Sequence, residues 1–176
     1  MSEPVDSVGL RQDWTWWVSA APFRAWLAHL CAATGFEPLA VAVAAGMPTS
    51  VARSLCSSNN RPRRIRSVDA RALMAIDIET LRERGRVLAD ATMAQKALSE
   101  LGPWRPNAEY LAKRLSINTD TAAGLADGWL DVCPQSVTWR CVALAQDITH
   151  TRTKAALQAK QTAVQDDVEV VMRRAA

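Results

Sequence analysis

Apolar side chains recur at intervals of three and four residues along most of the chain from residue 21 onward. Phe23, Trp26, Leu27 and Leu30 begin this pattern, and Gly35 ends it. Such spacing places the apolar residues on one face of an α-helix. The chain is therefore predicted to be all-α, with two tandem small helical domains and a C-terminal helix. The predicted helices are residues 21–34, 37–45, 50–57, 67–76, 78–86, 92–101, 107–115, 119–126 and 135–148, followed by a helical tail over 151–176.

One arrangement of small and apolar residues occurs twice, seventy residues apart. In each copy a small residue on one helix lets a second helix cross closely, a small residue forms the turn, and apolar residues of the second helix face the core. This arrangement predicts a helix-turn-helix. These positions are Ala42, Gly46, Met47, Ala52 and Leu55 in the first copy, and Ala112, Ser116, Ile117, Ala122 and Leu125 in the second.

The seventy-residue offset favours two small domains within the 176 residues, each with its own helix-turn-helix. We expect an N-terminal arm over 1–20, a first domain over 21–86, a second domain over 92–148 and a C-terminal tail over 149–176. Residues 58–66 and 128–134 lack an apolar period and are predicted to be loops.

The two ends of the chain carry apolar clusters of their own. The arm contains Trp14, Trp16 and Trp17, which we expect to fasten the arm to the core, the alternative being that they stack on bases. The tail carries a narrow stripe of Leu157, Val164, Val168 and Val171. That stripe either pairs with a second copy to form a homodimer or folds back onto the second domain.

Charge distinguishes the two copies. Residues 21–86 contain ten arginines and five acidic residues, whereas residues 93–145 contain five basic and five acidic residues. Asp69 is the only carboxylate between Glu37 and Asp77, so the arginines of the 58–66 loop have few nearby partners within the chain. Duplex DNA is a polyanion that attracts such clusters. A solvated surface loop that pairs with nearby carboxylates is the alternative interpretation.

The first copy has side chains of the types that contact base edges and the phosphate backbone of DNA. Short polar side chains and one arginine fall between the core positions of its second helix, and Arg53 is suited to a bidentate contact with guanine. The loop that follows is suited to the phosphate backbone or a narrow minor groove. The predicted DNA-binding residues of this copy are Thr49, Ser50, Arg53, Ser54, Ser57, Asn59, Asn60, Arg61, Arg63, Arg64 and Arg66.

The second copy is less suited to DNA because Asp120 and Asp127 lie on its outward face and would repel phosphates. It is either a second DNA reader or a structural or protein-binding module. Its candidate DNA-binding residues are Lys113, Arg114, Asn118 and Thr119.

Residues 21–77 also carry a recognisable series of short motifs. In chain order they are Ala21-Pro22-Phe23-Arg24, Ala33-Thr34-Gly35, Ala45-Gly46-Met47, Arg61-Pro62-Arg63-Arg64-Ile65 and Ala70-Arg71-Ala72-Leu73-Met74. This stretch resembles helix-turn-helix regulators of high-GC bacteria and their phages. The resemblance implies a phage-repressor-like helical arrangement and DNA binding for regulation. The chain departs from the usual pattern at Val51, which comes one position early, and at Ala52, where a bulkier β-branched residue is typical.

Other classes of protein are disfavoured. The four cysteines, Cys31, Cys56, Cys133 and Cys141, lack the close pairing of a structural zinc site, so we expect free thiols, no metal and no cofactor. The sequence lacks a Ser/His/Asp triad order, an HExxH motif and a phosphate-binding glycine loop. We therefore expect that the protein is not an enzyme. No uninterrupted apolar run of membrane-spanning length is present, so we expect a cytoplasmic, nucleoid-associated protein.

Together these patterns predict a sequence-specific double-stranded DNA-binding protein, with repression of transcription favoured over activation. Helix 50–57 would read the major groove, and the arginine loop would contact the backbone or minor groove. The alternative is a protein-interaction module, such as an antitoxin-like or polymerase-binding adaptor, that binds a protein partner through the second domain and the C-terminal helix.

Overall fold

The computed structural model describes residues 16–59 and 61–175, and these are mostly helical. The helices are α1 Ala21–Thr34, α2 Pro38–Ala44, α3 Thr49–Cys56, α4 Ser67–Met74, α5 Ile78–Arg86, α6 Thr92–Ser99, α7 Ala108–Leu115, α8 Thr119–Asp127 and α9 Gln135–Ala175. The strands are β1 Trp17–Ser19, β2 Arg64–Arg66, β3 Leu88–Asp90 and β4 Val132–Pro134, and a short 3₁₀ turn spans Gly102–Trp104. The expectation of a mainly helical chain is confirmed.

Residues 16–74, called half one below, place three helices between two strands that pair with each other, and α4 follows the second strand. β1 and β2 are antiparallel, with Trp17 opposite Arg66 and Ser19 opposite Arg64. Ile65 is buried, and Val18 packs against the same core. Because alternate residues of a strand face opposite sides, one side of this pair closes the core while the other faces outward.

Residues 87–148, called half two below, follow the same order of elements. β3 pairs antiparallel with β4, and α6, α7 and α8 lie between them in the chain. Corresponding backbone hydrogen bonds recur: Ala20 N donates to Arg63 O in half one, and Ala91 N donates to Asp131 O in half two, at 2.9 and 3.0 Å. The correspondence therefore extends beyond the repeated helix pair to the flanking strands.

Turn and cap chemistry sets the boundaries of these helices. Gly46, with φ +67°, and Ser116, with φ +58°, occupy corresponding turn positions. A left-handed backbone costs little at glycine and more at serine. Asn107 and Asn118 cap α7 and α8 by accepting from the backbone N–H of Tyr110 and Thr121 at 2.9 and 2.7 Å, as Asn does at helix starts.

Helix α5 connects the two halves and begins at a carboxylate cap. Asp77 Oδ1 accepts from Thr80 N at 2.7 Å. This hydrogen bonding lowers the pKa of the Asp77 carboxyl below its ordinary value of 3.8, since the bond favours the ionised form. At the other end of α5, Gly85 is buried, and a Cβ there would lie 3.2 Å from the ring of Phe36.

Helix α9 contributes to both hydrophobic cores. Trp139 and Ala143 pack in the core of half one, whereas Val137 and Cys141 pack in the core of half two. The indole of Trp139 also meets the ring of Phe36 edge to face, with centroids 6.0 Å apart. Opposite faces of one helix thus hold the two halves together.

Several sequence predictions require correction. The segments 58–66 and 128–134 are not wholly loops, because β2 and β4 form within them. The predicted tail helix is not separate but continues the predicted helix 135–148 as α9. The Trp16 and Trp17 side chains do not fasten the arm, since both are exposed and Val18 packs inward instead. Trp14, the rest of the arm over 1–15, and Ala176 lie outside the described residues.

Among the described residues, no single helix is both long and apolar enough to cross a bilayer. Ala21–Thr34 and Pro38–Ala44 together have the length and composition of a membrane span, but the two helices are bent by 100° relative to each other.

Candidate nucleic-acid interface

Helix α3 presents three distinct sides. Ala52 and Leu55 are fully buried in the core, and Met47 in the preceding turn joins them. Ser50 is exposed and Ser54, one turn later, is half-buried. The small Ala52 therefore faces inward despite its departure from the usual pattern, and the outward side of α3 consists of short hydroxyl side chains.

The third side of α3 packs against α9. Thr49, predicted to point outward, is buried, and its hydroxyl donates to Gln146 Oε1 at 2.5 Å. Arg53 Nη2 lies 3.0 Å from Asp147 Oδ1, with 27% of the arginine side chain exposed. These contacts arise because α9, expected to belong to the second domain alone, also packs against half one. Arg53 is therefore engaged within the chain.

Residues 61–66, called the arginine segment below, are held next to α3 by one side chain of α1. Arg24 Nε donates to Leu55 O at 3.2 Å, and Arg24 Nη2 donates to Pro62 O at 3.1 Å. Leu55 O is one of the carbonyls that a helix end leaves without an intrahelical partner. Arg24 thus fixes the end of α3 and the start of the arginine segment together.

Within the arginine segment, three arginines face outward. Arg61, Arg63 and Arg64 are exposed, and no ion pair formed within the described residues involves any of them. Arg61 Nε donates to Ser57 O at 3.4 Å, a long hydrogen bond that leaves its charge exposed. Three cations thus remain available to an external anion, and one of them, Arg64, lines a cleft together with Ser50 and Ser54.

Arg66 has a different role from its neighbours. Its Nε and Nη2 donate to Asp69 Oδ2 and Oδ1 at 2.8 and 3.0 Å, and Asp69 is buried. These hydrogen bonds, together with the negative charge of Asp69, raise the pKa of the Arg66 guanidinium. A bidentate pair of this kind fixes geometry as well as charge, so Arg66 anchors β2 to α4.

A cleft of about 280 Å³ separates α3 from the strand pair. Ser50, Val51 and Ser54 line it from α3, and Trp17 and Arg64 line it from the strands. Of the other predicted contacts, Ser57 is half-buried at the end of α3, and Asn59 is exposed with its Oδ1 accepting from Ser58 Oγ at 3.1 Å. Asn60 lies outside the described residues.

The predicted DNA-binding residues of half two do not form one basic surface. Lys113 and Thr119 are exposed, while Asn118 is occupied as the cap of α8. Arg114 lies 2.9 Å from Glu37 at the start of α2, so this ion pair links the halves. The structure does not gather these four residues into a single basic surface.

The outward face of α8 is covered, unlike that of α3. Gly124 corresponds to Ser54, and a Cβ at Gly124 would lie only 3.1 Å from the indole of Trp129. Gly124 O accepts from the backbone N–H groups of Trp129 and Leu130 at 3.1 and 3.2 Å, which holds the indole there. No pattern of helical spacing could have indicated this cover, because Trp129 follows the helix.

The strand of half two also lacks the cations of the arginine segment. By the strand pairing and the matching backbone bonds, Arg63, Arg64 and Arg66 correspond to Asp131, Val132 and Pro134. The matching surface of half two is therefore acidic and apolar. A polyanion has little to bind there.

The four cysteines differ in exposure: Cys133 and Cys141 are buried, Cys31 is half-buried and Cys56 is exposed. Burial, followed by the proximity of another cysteine, raises the pKa of Cys31 to about 11 and that of Cys141 to about 12. Such thiols stay protonated near neutral pH and are poor nucleophiles. All four cysteines are free, and no group of three or more metal-ligating side chains converges within the described residues.

The chain has no detected relative among known proteins. No protein-family model, no curated protein and no solved structure matches the chain. The interpretation of this surface therefore depends on its own geometry and charge: an outward helix face of small hydroxyl side chains, a cleft, and a flanking row of exposed arginines.

Proposed function

We propose that this chain is a double-stranded DNA-binding regulator composed of two tandem helix-turn-helix domains. Half one is the DNA reader: α3 enters the major groove with Ser50 and Ser54 foremost, and the arginine segment follows the sugar-phosphate backbone. Its simplest regulatory action is repression, in which the bound protein occupies an operator and excludes other proteins.

The observation that carries this proposal is the cleft that Ser50 and Ser54 of α3 share with Arg64, one of the three arginines Arg61, Arg63 and Arg64 of the arginine segment. All three are exposed, and Arg24 ties their segment to the end of α3 through Leu55 O and Pro62 O. Phosphate contacts set the position of a protein on a duplex, and side chains in the groove read its sequence. Here both kinds of contact are available on one surface.

Arg53 has a conditional role in this proposal. Its ion pair with Asp147 is partly exposed, and exposed pairs contribute little free energy. DNA phosphates and guanine edges are strong competitors for a guanidinium. Arg53 therefore exchanges Asp147 for DNA on binding, rather than forming part of the preformed surface.

Half two is proposed to bind protein rather than DNA. Trp129 covers the face of α8 that corresponds to the reading face of α3, and Asp131 and Val132 stand where half one has arginines. Apolar surface surrounded by carboxylates suits a partner protein. This is the remaining form of the adaptor hypothesis, now restricted to half two and α9.

Selection of bound sequences from a random duplex pool tests the DNA proposal. The protein is expected to enrich a defined site, and the length of that site indicates how many helices read the DNA sequence. A site of about half a helical turn to one turn without symmetry indicates one reading helix in a monomer, and a palindrome indicates a dimer. Failure to enrich any sequence, together with the absence of salt-sensitive binding to any duplex, would refute the proposal.

A further inference from the structure

An exposed indole stands at the edge of the proposed reading surface. Trp17 begins β1 directly opposite Arg66. Val18 and Ile65, the next pair along, face the core. Alternation along the strand therefore turns Trp17 outward, and 60% of this residue is exposed.

The indole of Trp17 lines the same cleft as the outward side of α3. Ser50 and Ser54 form one wall of this cleft, and Trp17 and Arg64 form the other. A large apolar ring thus lines one cleft together with hydroxyl side chains that suit base edges and a guanidinium that suits phosphate. No other function assigned above requires an aromatic residue at this position.

The surroundings of Trp17 determine which kind of partner fits it. Arg64 lines this cleft together with Trp17, and Arg61 and Arg63, which are also exposed, belong to the same segment. This concentration of positive charge favours a polyanion. Because the Trp17 indole is apolar, the polyanion must also present an apolar group where it enters the cleft beside α3. Duplex DNA combines both features in its major groove, where the C5-methyl of thymine is the one apolar group on the base edges.

We propose that Trp17 is a specificity-determining contact for thymine, with its indole packed against a thymine C5-methyl beside the base pairs that α3 reads. This inference rests on the proposed DNA binding of half one. The corresponding residue of half two is Leu88, which is also exposed but is flanked by Asp90 and Asp131 rather than by arginines. The contact is therefore specific to half one.

Exchange of thymine for deoxyuridine tests the contact, because it removes only the methyl group. The duplex is the site enriched by the full-length protein, and binding is measured by fluorescence anisotropy with thymine or deoxyuridine at each position in turn. At one position the wild-type protein is expected to lose about fourfold in affinity, the value of one buried methyl. Trp17→Ala should weaken binding to the thymine duplex by at least that factor and remove the difference between the duplexes.

Trp16→Ala is the matched control. Trp16 is the neighbouring exposed tryptophan, but it lines a separate depression with Phe23 and Met74. This variant loses an equal side chain outside the cleft, so it should keep both the affinity and the sensitivity to deoxyuridine. Circular dichroism of both variants checks that the fold is intact.

A second measurement needs no substitution in the protein. 5-Iododeoxyuridine is placed at the methyl-sensitive position and irradiated in complex with the wild-type chain, and the cross-linked residue is expected to be Trp17. The inference is overturned if Trp17→Ala keeps wild-type affinity, if the deoxyuridine penalty persists in that variant, or if cross-linking maps elsewhere. Should the wild-type chain bind no duplex, the proposed function itself fails, which is a distinguishable result.

Discussion

Replacement of Arg24 by Met removes the link between α3 and the arginine segment while keeping the length of the side chain. The guanidinium of Arg24 donates to Leu55 O at 3.2 Å and to Pro62 O at 3.1 Å, and it is half-buried. Hydrogen bonds from charged groups contribute about 1.5–3 kcal/mol each when fully desolvated. Partial exposure and lengths above 3.0 Å place the pair together at about 1–3 kcal/mol.

Two assays separate the consequences of Arg24→Met. Urea denaturation followed by circular dichroism should show a free energy of unfolding lower by about 1–3 kcal/mol. Anisotropy titration with duplex DNA should show weaker binding, because the arginine segment is no longer ordered beside α3. The loss in affinity should exceed that expected from the removal of one charge.

Arg24→Lys is the control that distinguishes geometry from charge. Lysine keeps the positive charge but lacks the planar fork that reaches two carbonyl oxygens at once. We expect Arg24→Lys to recover less than half of the loss in either assay. Arg24 does not have this role if Arg24→Met matches the wild-type protein in both assays, or if Arg24→Lys restores both completely.

Two further predictions concern charged groups away from the arginine segment. The Arg53–Asp147 ion pair is 3.0 Å long and partly exposed. A double-mutant cycle of Arg53→Met and Asp147→Asn should therefore give a coupling free energy of about 0.2–1 kcal/mol. A coupling above about 2 kcal/mol would mean that the pair is too strong for Arg53 to leave α9 and bind DNA. Asp77 has its pKa lowered from 3.8, chiefly by hydrogen bonding from Thr80. Its stabilising effect is therefore full above pH 3.8 and declines as the pH falls through the lowered value. Asp77→Asn keeps a capping oxygen and should show a smaller decline in thermal stability below pH 4 than the wild-type protein; an equal decline would contradict this assignment.

The helix-turn-helix pattern predicted the inner positions of α2 and α3 well, because burial of small and apolar residues has a helical period. Ala42, Ala52 and Leu55 are all fully buried. Residue spacing also predicted the turn at Gly46, since its left-handed backbone favours glycine. Local periodicity is sufficient for such features.

Strand pairing and the contacts of α9 with half one could not be predicted in the same way. β2 has one buried side chain, Ile65, between two exposed arginines, so it carries no apolar run. It becomes a strand because Trp17–Ser19 pairs with it from more than forty residues away. Similarly, the contacts of Thr49 and Arg53 with α9 connect residues nearly a hundred positions apart. Such long-range contacts leave no periodic signal.

The candidate surface was predicted in part. Composition identified the arginine segment, but not the division within it between the outward Arg61, Arg63 and Arg64 and the internally paired Arg66. Arg24 carried no signal of its role, because its partners are backbone carbonyls that any sequence provides. The two halves share an element order and differ in the residues on their outward faces. The assignment of DNA binding to half one rests on this difference.

The salt dependence of DNA binding tests that assignment most directly. Each phosphate contact contributes about 0.9 to the slope of log affinity against log salt concentration. The triple variant Arg61→Ala, Arg63→Ala, Arg64→Ala should therefore reduce the wild-type slope by about 2–3. A control variant with Arg84→Ala, Arg86→Ala and Lys96→Ala loses the same charge from exposed positions elsewhere and should keep a slope within about 1 of wild type. Equal slopes for the two variants, or wild-type binding that is insensitive to salt, would contradict the account.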